Sequence, residues 1–296
     1  MADIQNDITG LQPSSGCAVV VAHPDDEVLW ASSLLASARK TIVCYGDLSG
    51  KPVFSTGRRK AVSALPLNGV ENLCLTEASM FNHATWPNPE EIAEGLAPRR
   101  LPLGLHSAVL ASYRRNFSEL CRLLEQHLAG IDTVVTHNPW GEYGHEDHVQ
   151  VFRAVEAVQK RLGFKIWVTG YVSDKAALLM QQHLHRLGPR SRALATDRPL
   201  AERCRDIYIQ NGCWTWPDAF VWPEQEWFFP LRTDGATSAP VTPCAVQPVQ
   251  MNFIRFYYTP PSRFAHSLKC AARHVFFRLV RAFPAFGAFA EKVRGR

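Results

Sequence analysis

The sequence predicts an α/β protein in which helices cover both faces of a mainly parallel sheet. Short apolar runs alternate with segments of helical periodicity, the order that produces parallel strands joined by crossover helices. The first run, residues 17–22 (CAVVVA), is apolar at every position and ends at His23, as expected of a strand buried on both faces. The expected architecture is therefore Rossmann-like.

The later elements follow from the same two patterns. Residues 41–45 (TIVCY) and 132–136 (DTVVT) are rich in β-branched side chains, and residues 106–128 carry apolar side chains at helical spacing. Residues 79–104 contain many prolines and no clear period, which predicts a loop with at most one helical turn. The predicted strands are 17–22, 41–45, 72–75, 132–136, 165–172 and 250–258, and the predicted helices are 27–39, 58–67, 106–128, 147–162 and 174–187, the last N-capped by Ser173 or Asp174.

We expect one large domain between two terminal segments. Residues 1–16 form an N-terminal tail, residues 17–258 a single α/β domain, and residues 259–296 a basic amphipathic helical segment. Within the domain, residues 211–230 are crowded with tryptophan and phenylalanine. This aromatic-rich C-terminal extension is interpreted either as core or as a surface that stacks on sugar rings or faces lipid.

The composition is that of an ordinary globular protein. The net charge of +5 is mild and lacks the clustered basic footprint of a nucleic-acid-binding protein. The eight cysteines form no C-x-x-C pair and are interpreted as thiols of a reducing compartment. Residues 1–15 lack the apolar centre of a signal peptide, and no stretch reaches the roughly 20 apolar residues of a membrane span. These features predict a cytoplasmic location.

Residues 263–283 combine apolar positions at helical spacing with several arginines and a lysine. A basic amphipathic helix of this kind binds anionic membrane surfaces. The segment is interpreted in two ways: as a peripheral contact at the inner face of the membrane, or as a helix packed on the domain with its basic face in solvent.

Polar clusters follow the first and fourth predicted strands. Residues 22–27 (AHPDDE) offer one imidazole and three carboxylates, and residues 143–148 (YGHEDH) place two histidines around two acids. The carboxyl ends of parallel strands meet at one edge of a sheet, where ligands bind. Imidazoles and carboxylates are zinc ligands, and a catalytic zinc needs three of them. His23, one aspartate and one later histidine make that set, and the other aspartate is free to accept a proton from water.

Residues 23–27 (HPDDE), after an apolar strand and Ala22, are similar to the signature of the PIG-L/LmbE-like zinc-dependent de-N-acetylases. Residues 141–148 (GEYGHEDH) resemble the second motif of that family in order and spacing. The resemblance implies that His23, Asp26 and His148 bind zinc and that Asp25 is the general base.

The resemblance also implies auxiliary roles. His145, oriented by Asp147, would stabilise the oxyanion or protonate the leaving amine, and Tyr143 would lie near the acyl oxygen. Glu146 stands where a proline is common in the family. Arg59 is a candidate for anchoring the substrate, although the nearby glutamate that often accompanies such an arginine is absent from the following residues.

The predicted function is metal-dependent hydrolysis that removes an N-acetyl or other N-acyl group from an amino sugar, such as an N-acetylglucosamine conjugate. The cofactor is Zn²⁺, although the ligand types also suit another divalent metal such as Fe²⁺. The expected partner is the N-acetylated amino sugar, lipid-linked or glycosidic. Two other classes stay open: a non-catalytic sugar- or nucleotide-binding module with a vestigial metal site, and a metal-dependent phosphoesterase.

Overall fold

The computed structural model describes residues 16–99, 105–218, 220–232 and 251–255. The helices are α1 (Asp26–Trp30), α2 (Pro52–Ala64), α3 (Leu105–His127), α4 (Glu146–Leu162), α5 (Ala177–His183) and α6 (Arg198–Gln210). The strands are β1 (Ala18–Val21), β2 (Lys40–Val43), β3 (Val70–Asn72), β4 (Glu91–Ile92), β5 (Gly95–Leu96), β6 (Thr133–Thr136), β7 (Lys165–Thr169), β8 (Tyr171–Ser173), β9 (Leu194–Ala195), β10 (Gln225–Glu226), β11 (Phe228–Pro230) and β12 (Asn252–Ile254).

The central sheet has the strand order β11-β7-β6-β1-β2-β3. Strands β7, β6, β1, β2 and β3 are parallel, and β11 is antiparallel to β7. The chain moves outward from β1 to β3 on one side and resumes on the other side at β6, so the strand order switches between β1 and β6. Ligands of open parallel sheets bind at such a switch. The predicted α/β fold class is confirmed.

The sheet is buried on both faces, and β1 shows why its sequence is apolar throughout. Val20 belongs to one core cluster and Val19 to the other, since successive side chains of a strand point to opposite faces. The first cluster includes side chains of α3 and α4, such as Leu124 and Val155. The second includes side chains of α2 and α6, such as Ala61.

The first helix is shorter than the predicted 27–39. Helix α1 ends at Trp30, where Ala31 leaves the helical region at φ −143°, and a single 3₁₀ turn follows at Ser32–Leu34. The backbone N–H of Ser33 donates at 2.7 Å to the carboxylate of Glu226, a residue far along the chain. A long-range hydrogen bond thus replaces a helical one, and periodicity alone does not reveal it.

Proline and glycine explain two further corrections. Helix α2 is earlier than the predicted 58–67: it begins at Pro52, a favourable first position, and ends before Pro66. The predicted strand 165–172 is interrupted at Gly170, where a Cβ atom would lie 2.4 Å from the carbonyl oxygen of Trp227. The chain therefore leaves the central sheet after β7, and β8 pairs with β12 instead.

Helix α5 begins at Ala177, and its N-cap is Ala176, so the predicted cap at Ser173 or Asp174 was wrong. The reason is that Ser173 is the last residue of β8, and a turn separates it from the helix. Strand β3 also begins and ends earlier than the predicted 72–75, and the predicted loop 79–104 contains the hairpin β4–β5.

Several predictions fall partly or wholly outside the described residues. These are the N-terminal tail, the end of the strand predicted at 250–258, and the basic helix at 263–283. Among the described residues, no helix is long and apolar enough to cross a membrane. Six of the cysteines are described, and all six are free thiols.

Candidate metal centre

The first cluster is fixed by a tight turn between β1 and α1. Asp25 has a left-handed backbone conformation, with φ 102° and ψ −25°, which is uncommon outside glycine but tolerated by aspartate. The turn is held by the backbone N–H of Asp25, which donates to Glu27 Oε2 at 3.2 Å. The other oxygen of the Glu27 carboxylate accepts from the Tyr208 hydroxyl at 2.6 Å. Glu27 therefore stabilises the turn that carries the candidate base.

The second cluster spans the end of the loop between β6 and α4 and the first turn of α4. His145 is the N-cap of α4, and its Nδ1 accepts a hydrogen bond from the backbone N–H of Asp147 at 3.2 Å. Gly141 allows the loop to fold tightly, because a Cβ atom there would lie 2.6 Å from the carbonyl oxygen of His145. The loop places His145 and His148 beside the first cluster, with ring centroids 4.6 Å and 5.4 Å from that of His23.

Asp26 lies close to both of the histidines that are predicted as metal ligands. Asp26 Oδ2 lies 3.1 Å from His23 Nδ1 and 3.2 Å from His148 Nε2. Tetrahedral zinc with bonds of about 2.0–2.1 Å holds its ligand atoms about 3.3 Å apart. His148 Nε2 is buried and has no hydrogen-bond partner among the described residues. The donor set therefore fits a divalent ion.

The hydrogen bonds of His148 and His137 indicate which ring nitrogen of each residue is available to a metal ion. His148 Nδ1 lies 2.7 Å from Glu142 Oε2, and a proton shared there leaves Nε2 unprotonated. His137 Nδ1 lies 3.0 Å from the same oxygen, and its Nε2 accepts from the backbone N–H of Ala22 at 2.8 Å. His137 is therefore already engaged at both ring nitrogens. Among the described residues, the donor groups whose atoms lie within 4.8 Å of one another are His23/His145/His148, Asp26/His137/His148 and His23/Glu77/Asp147, so His137 and His145 also lie within reach of the candidate centre.

The electrostatics of the cluster favour a bound cation. Burial opposes the charged form of His23, yet Glu77, Asp147 and Asp26 outweigh it and raise the pKa to about 10. Burial likewise opposes protonation of His148, and Asp26 and Glu142 raise its pKa to about 9. The buried carboxylates thus attract positive charge, which a divalent ion supplies without protonating the histidines.

The candidate base, Asp25, lies beside the ligands and is 2% exposed. Its Oδ2 accepts a hydrogen bond from the Thr215 hydroxyl at 2.6 Å. Burial and the neighbouring Asp26 raise the pKa of Asp25 to about 7, against the opposing effects of Thr215 and Arg58. A carboxyl group tuned to neutral pH is suited to general base chemistry.

His145 is held between two rings. Its ring is stacked on Phe81, with centroids 4.4 Å apart, and on His148, with centroids 4.7 Å apart. Burial and the nearby His23 and His148 hold the pKa of His145 well below its usual value. Its Nδ1 accepts from an amide, so the neutral ring carries its proton on Nε2. Tyr143 packs edge-on against His145, at a centroid distance of 5.7 Å.

Asp147 contacts a different histidine from the one the resemblance implied. Its backbone N–H bonds to His145, but its carboxylate Oδ2 lies 3.4 Å from His23 Nε2. A proton shared at that contact leaves His23 Nδ1 free for the ion. The carboxylate therefore orients His23, and His145 is oriented by the amide of residue 147.

The neighbouring residues Arg58 and Arg59 have different partners, and only Arg58 lines the cavity. Arg58 is 4% exposed, lines the cavity and donates to Glu77 Oε1 at 2.7 Å. Arg59 is half exposed and forms an ion pair with Asp47, away from the residues that line the cavity. The sequence has no glutamate close to Arg59. The structure supplies a glutamate from another segment, Glu77, and its partner is Arg58.

A cavity of about 920 Å³ opens above the cluster. Carboxylates and histidines form its floor, and its walls are mainly apolar, with a few polar and basic side chains such as Lys51 and Arg58. The aromatic-rich extension serves both interpretations: Phe228 is core, Trp216 lines the cavity, and Phe220 and Trp222 line the cavity while packing on the core. The outer wall is formed by Thr215, Trp216, Pro217, Phe220, Val221, Trp222, Pro223, Asn252, Phe253, Ile254 and Arg255.

Glu146 anchors the loop that carries Phe81. It is fully buried, and its carboxylate accepts from the backbone N–H groups of Asn82 and Ala84 at 2.9 Å and from the Trp86 indole at 3.0 Å. A proline at this position would provide none of these bonds. The departure from the family pattern is therefore part of how this chain fixes one wall of the site.

Replacing Glu146 with alanine is expected to destabilise the fold. The change leaves three buried donors without their acceptor, so we expect a loss of about 3 kcal/mol in the free energy of unfolding. Urea unfolding monitored by circular dichroism measures it. Glu125→Ala, which removes a half-exposed ion pair with Arg161, is the control and should change stability by less than about 0.5 kcal/mol. Equal stability of the two variants would contradict the anchoring role.

Sequence reasoning missed four residues of the site. Glu142 lies inside the second motif at a position without an assigned role, while Arg58, Glu77 and Thr215 reach the site through long-range contacts. The one signal available in the sequence was the position of Glu142 directly before Tyr143, within the second motif.

Residues 18–159 match the PIG-L family, described as GlcNAc-PI de-N-acetylase. No curated protein matches the sequence. The zinc-inhibited form of teicoplanin deacetylase Orf2 is similar in structure, with 13% identity, a TM-score of 0.48, and coverage of 74% of this chain and 99% of that one. The A40926 pseudoaglycone deacetylase Dbv21 is similar with 14% identity, a TM-score of 0.43, and coverage of 74% and 98%. The match to the PIG-L family covers residues 18–159, just under half of the 296 residues of the chain, and the chain is similar to that family over this segment.

Proposed function

We propose that this protein is a zinc-dependent hydrolase that removes an N-acetyl or other N-acyl group from an amino sugar. One observation carries the proposal: Asp26 Oδ2 lies within 3.2 Å of both His23 Nδ1 and His148 Nε2, with the Asp25 carboxylate alongside. Three ligands and a neighbouring base are the parts that metal-assisted amide hydrolysis requires. The match of residues 18–159 to a family described by de-N-acetylation supports the same chemistry.

His23, Asp26 and His148 would hold the ion, and two nitrogens with one oxygen suit zinc, although Fe²⁺ also accepts this set. When bound, the ion supplies Lewis acidity that polarises the acyl carbonyl and makes water more acidic. Asp25 accepts the proton of the attacking water as the new C–O bond forms. The same carboxyl group can return that proton to the nitrogen as the amide C–N bond breaks, which restores the base.

His145 is assigned to the developing oxyanion. Because its Nδ1 accepts from the amide of residue 147, the neutral ring presents an N–H at Nε2, which is a hydrogen-bond donor. Tyr143 lines the cavity, and we assign it to the same acyl oxygen. Arg58 takes over the substrate-anchoring role considered for Arg59, since Arg58 lines the cavity and Arg59 is paired elsewhere.

The amino-sugar assignment is supported by the shape of the cavity. Its 920 Å³ lies in the upper range for small-molecule sites, so a monosaccharide and part of its conjugate fit together. Trp216 and Phe220 offer flat apolar surfaces of the kind that pack against sugar rings. Lipid-linked and glycosidic conjugates are both candidate substrates. If residues 263–283 contact the membrane, as one interpretation of the sequence proposes, the substrate is expected to be lipid-linked.

The proposal predicts chelator-sensitive acetate release. A panel of N-acetylglucosamine as free sugar, nucleotide-linked, glycosidic and lipid-linked forms is incubated with the protein, and acetate is measured. We expect release from at least one member, its loss after treatment with a chelator, and its recovery when Zn²⁺ is added back.

Phosphate esters are assayed beside the sugars as a control for a phosphoesterase. Phosphate release without acetate release would replace the proposal with that class. Tight sugar binding without any release, by protein that holds one equivalent of metal, would favour a binding module instead.

A further inference from the structure

The candidate base receives a hydrogen bond from a residue far outside the family-matched segment. Thr215 lies 190 positions after Asp25, and its hydroxyl donates to Asp25 Oδ2 at 2.6 Å. Asp25 needs a fixed orientation, since its carboxylate must face the attacking water beside the metal ligands. We propose that Thr215 is a positioning residue that orients the Asp25 carboxylate for proton transfer, an inference that rests on the proposed function.

The loop that carries Thr215 is fixed at both ends, so it can hold a hydroxyl in place. The backbone N–H of Cys213 donates to the carbonyl oxygen of Tyr208 at 3.0 Å, which joins the loop to the end of α6. Trp216 packs edge-on against Trp30 and Tyr143, with centroid distances of 5.3 Å in both cases. The threonine is therefore held between two anchored neighbours.

The backbone and the carboxylate of Asp25 are held by different partners. Glu27 accepts the backbone N–H of Asp25, and Tyr208 donates to Glu27. Thr215 acts on the carboxylate itself, and occupies Oδ2. The other oxygen, Oδ1, is left to accept the proton from water. A hydroxyl has one proton to donate, so this contact favours one orientation of the carboxylate over its alternatives.

The test compares two substitutions of nearly equal size. Thr215→Val keeps the branched shape and removes the donor, whereas Thr215→Ser keeps the donor and removes a methyl group. A misplaced base slows the chemical step, so we expect kcat of Thr215→Val to fall by roughly 10- to 100-fold, with KM within about twofold of wild type. Thr215→Ser should retain kcat within about threefold. Metal content should equal that of wild type in both.

A matched control lies on α2. Thr56 is exposed, its hydroxyl donates to the carbonyl oxygen of Pro52, and it does not line the cavity. Thr56→Val should behave as wild type. Equal losses in Thr215→Val and Thr215→Ser, or a loss confined to KM, would overturn the positioning role, because loop packing or substrate contact would then explain the effect.

A double-variant cycle separates this inference from the proposed function. If Thr215 acts only through Asp25, adding Thr215→Val to Asp25→Asn slows residual turnover no further and leaves substrate binding, measured by calorimetry, unchanged within about twofold. A further fall in the double variant would overturn the inference. Full turnover by Asp25→Asn would overturn the proposed function and the inference together. An inactive Asp25→Asn beside a Thr215→Val variant as fast as wild type would overturn the inference alone.

Discussion

Replacing Asp25 with asparagine is expected to lower kcat by about 10³-fold while leaving the metal bound. The amide nitrogen cannot accept a proton, so the step that activates water loses its base. The three candidate ligands keep their side chains and partners, because the Asp25 carboxylate is hydrogen-bonded to Thr215 and its backbone N–H to Glu27. Asparagine also tolerates the left-handed backbone at this position, so the turn should keep its shape.

The measurement pairs steady-state acetate release with elemental analysis of the purified protein. One equivalent of metal per chain in both proteins, with turnover in the wild type alone, is the expected result. Asp206→Asn, which alters an exposed carboxylate on α6, should match the wild type in both assays. An Asp25→Asn variant with wild-type turnover would show that another group accepts the proton.

The second large effect is expected at Glu142, which holds two histidines at once. It is fully buried, and its Oε2 contacts both His148 Nδ1 and His137 Nδ1. Its other oxygen accepts from the backbone N–H of Asn138 and from the Thr169 hydroxyl. Burial opposes its ionisation, but His137 and His148 outweigh it and hold the pKa of Glu142 at about 2.

Glu142→Gln retains the shape of the side chain and removes its charge. We expect zinc affinity to fall by about 10- to 100-fold, because His148 loses the partner that fixes its ring and tautomer. We also expect the free energy of unfolding to fall by about 3–5 kcal/mol, since the change disrupts a buried charged network. Competition with a chromophoric chelator measures the first effect, and urea unfolding of the metal-free protein measures the second.

Glu119→Gln is the control, because Glu119 is exposed and pairs only with Arg122 among the described residues. It should leave both quantities unchanged. Wild-type zinc affinity in Glu142→Gln would mean that His148 is oriented by packing alone, in particular by its stacking on His137 at a centroid distance of 3.9 Å.

The fold class and the neighbourhood of the site were predictable because both depend on local pattern. An apolar run followed by His23, and another followed by His137, place polar groups at adjacent strand ends once the sheet is known to be parallel. What could not be predicted is carried by contacts between distant segments. Thr215 and Glu77 have unremarkable sequence surroundings, and only the folded chain brings them to Asp25 and Arg58.

The end of α1 and the end of β7 were predicted wrongly for the same physical reason. The early end of α1 depends on a hydrogen bond from Ser33 to Glu226, separated by 193 positions, and the break between β7 and β8 depends on how closely Gly170 approaches Trp227. Periodicity reports which face of an element is apolar, but tertiary contacts decide where the element ends. The role of Glu146 was likewise not evident from the sequence, since its three partners lie 60 to 64 positions earlier.

The cavity has its floor and its outer wall in separate stretches of the chain. The candidate metal cluster lies within residues 18–159, whereas the outer wall is built from residues 215–217, 220–223 and 252–255. Substrate selectivity can consequently change through substitutions in the two wall segments, while the candidate metal cluster stays the same. Grafting experiments between homologues should respect that division, with one exception: a transplanted wall must still carry a hydroxyl where Thr215 meets Asp25.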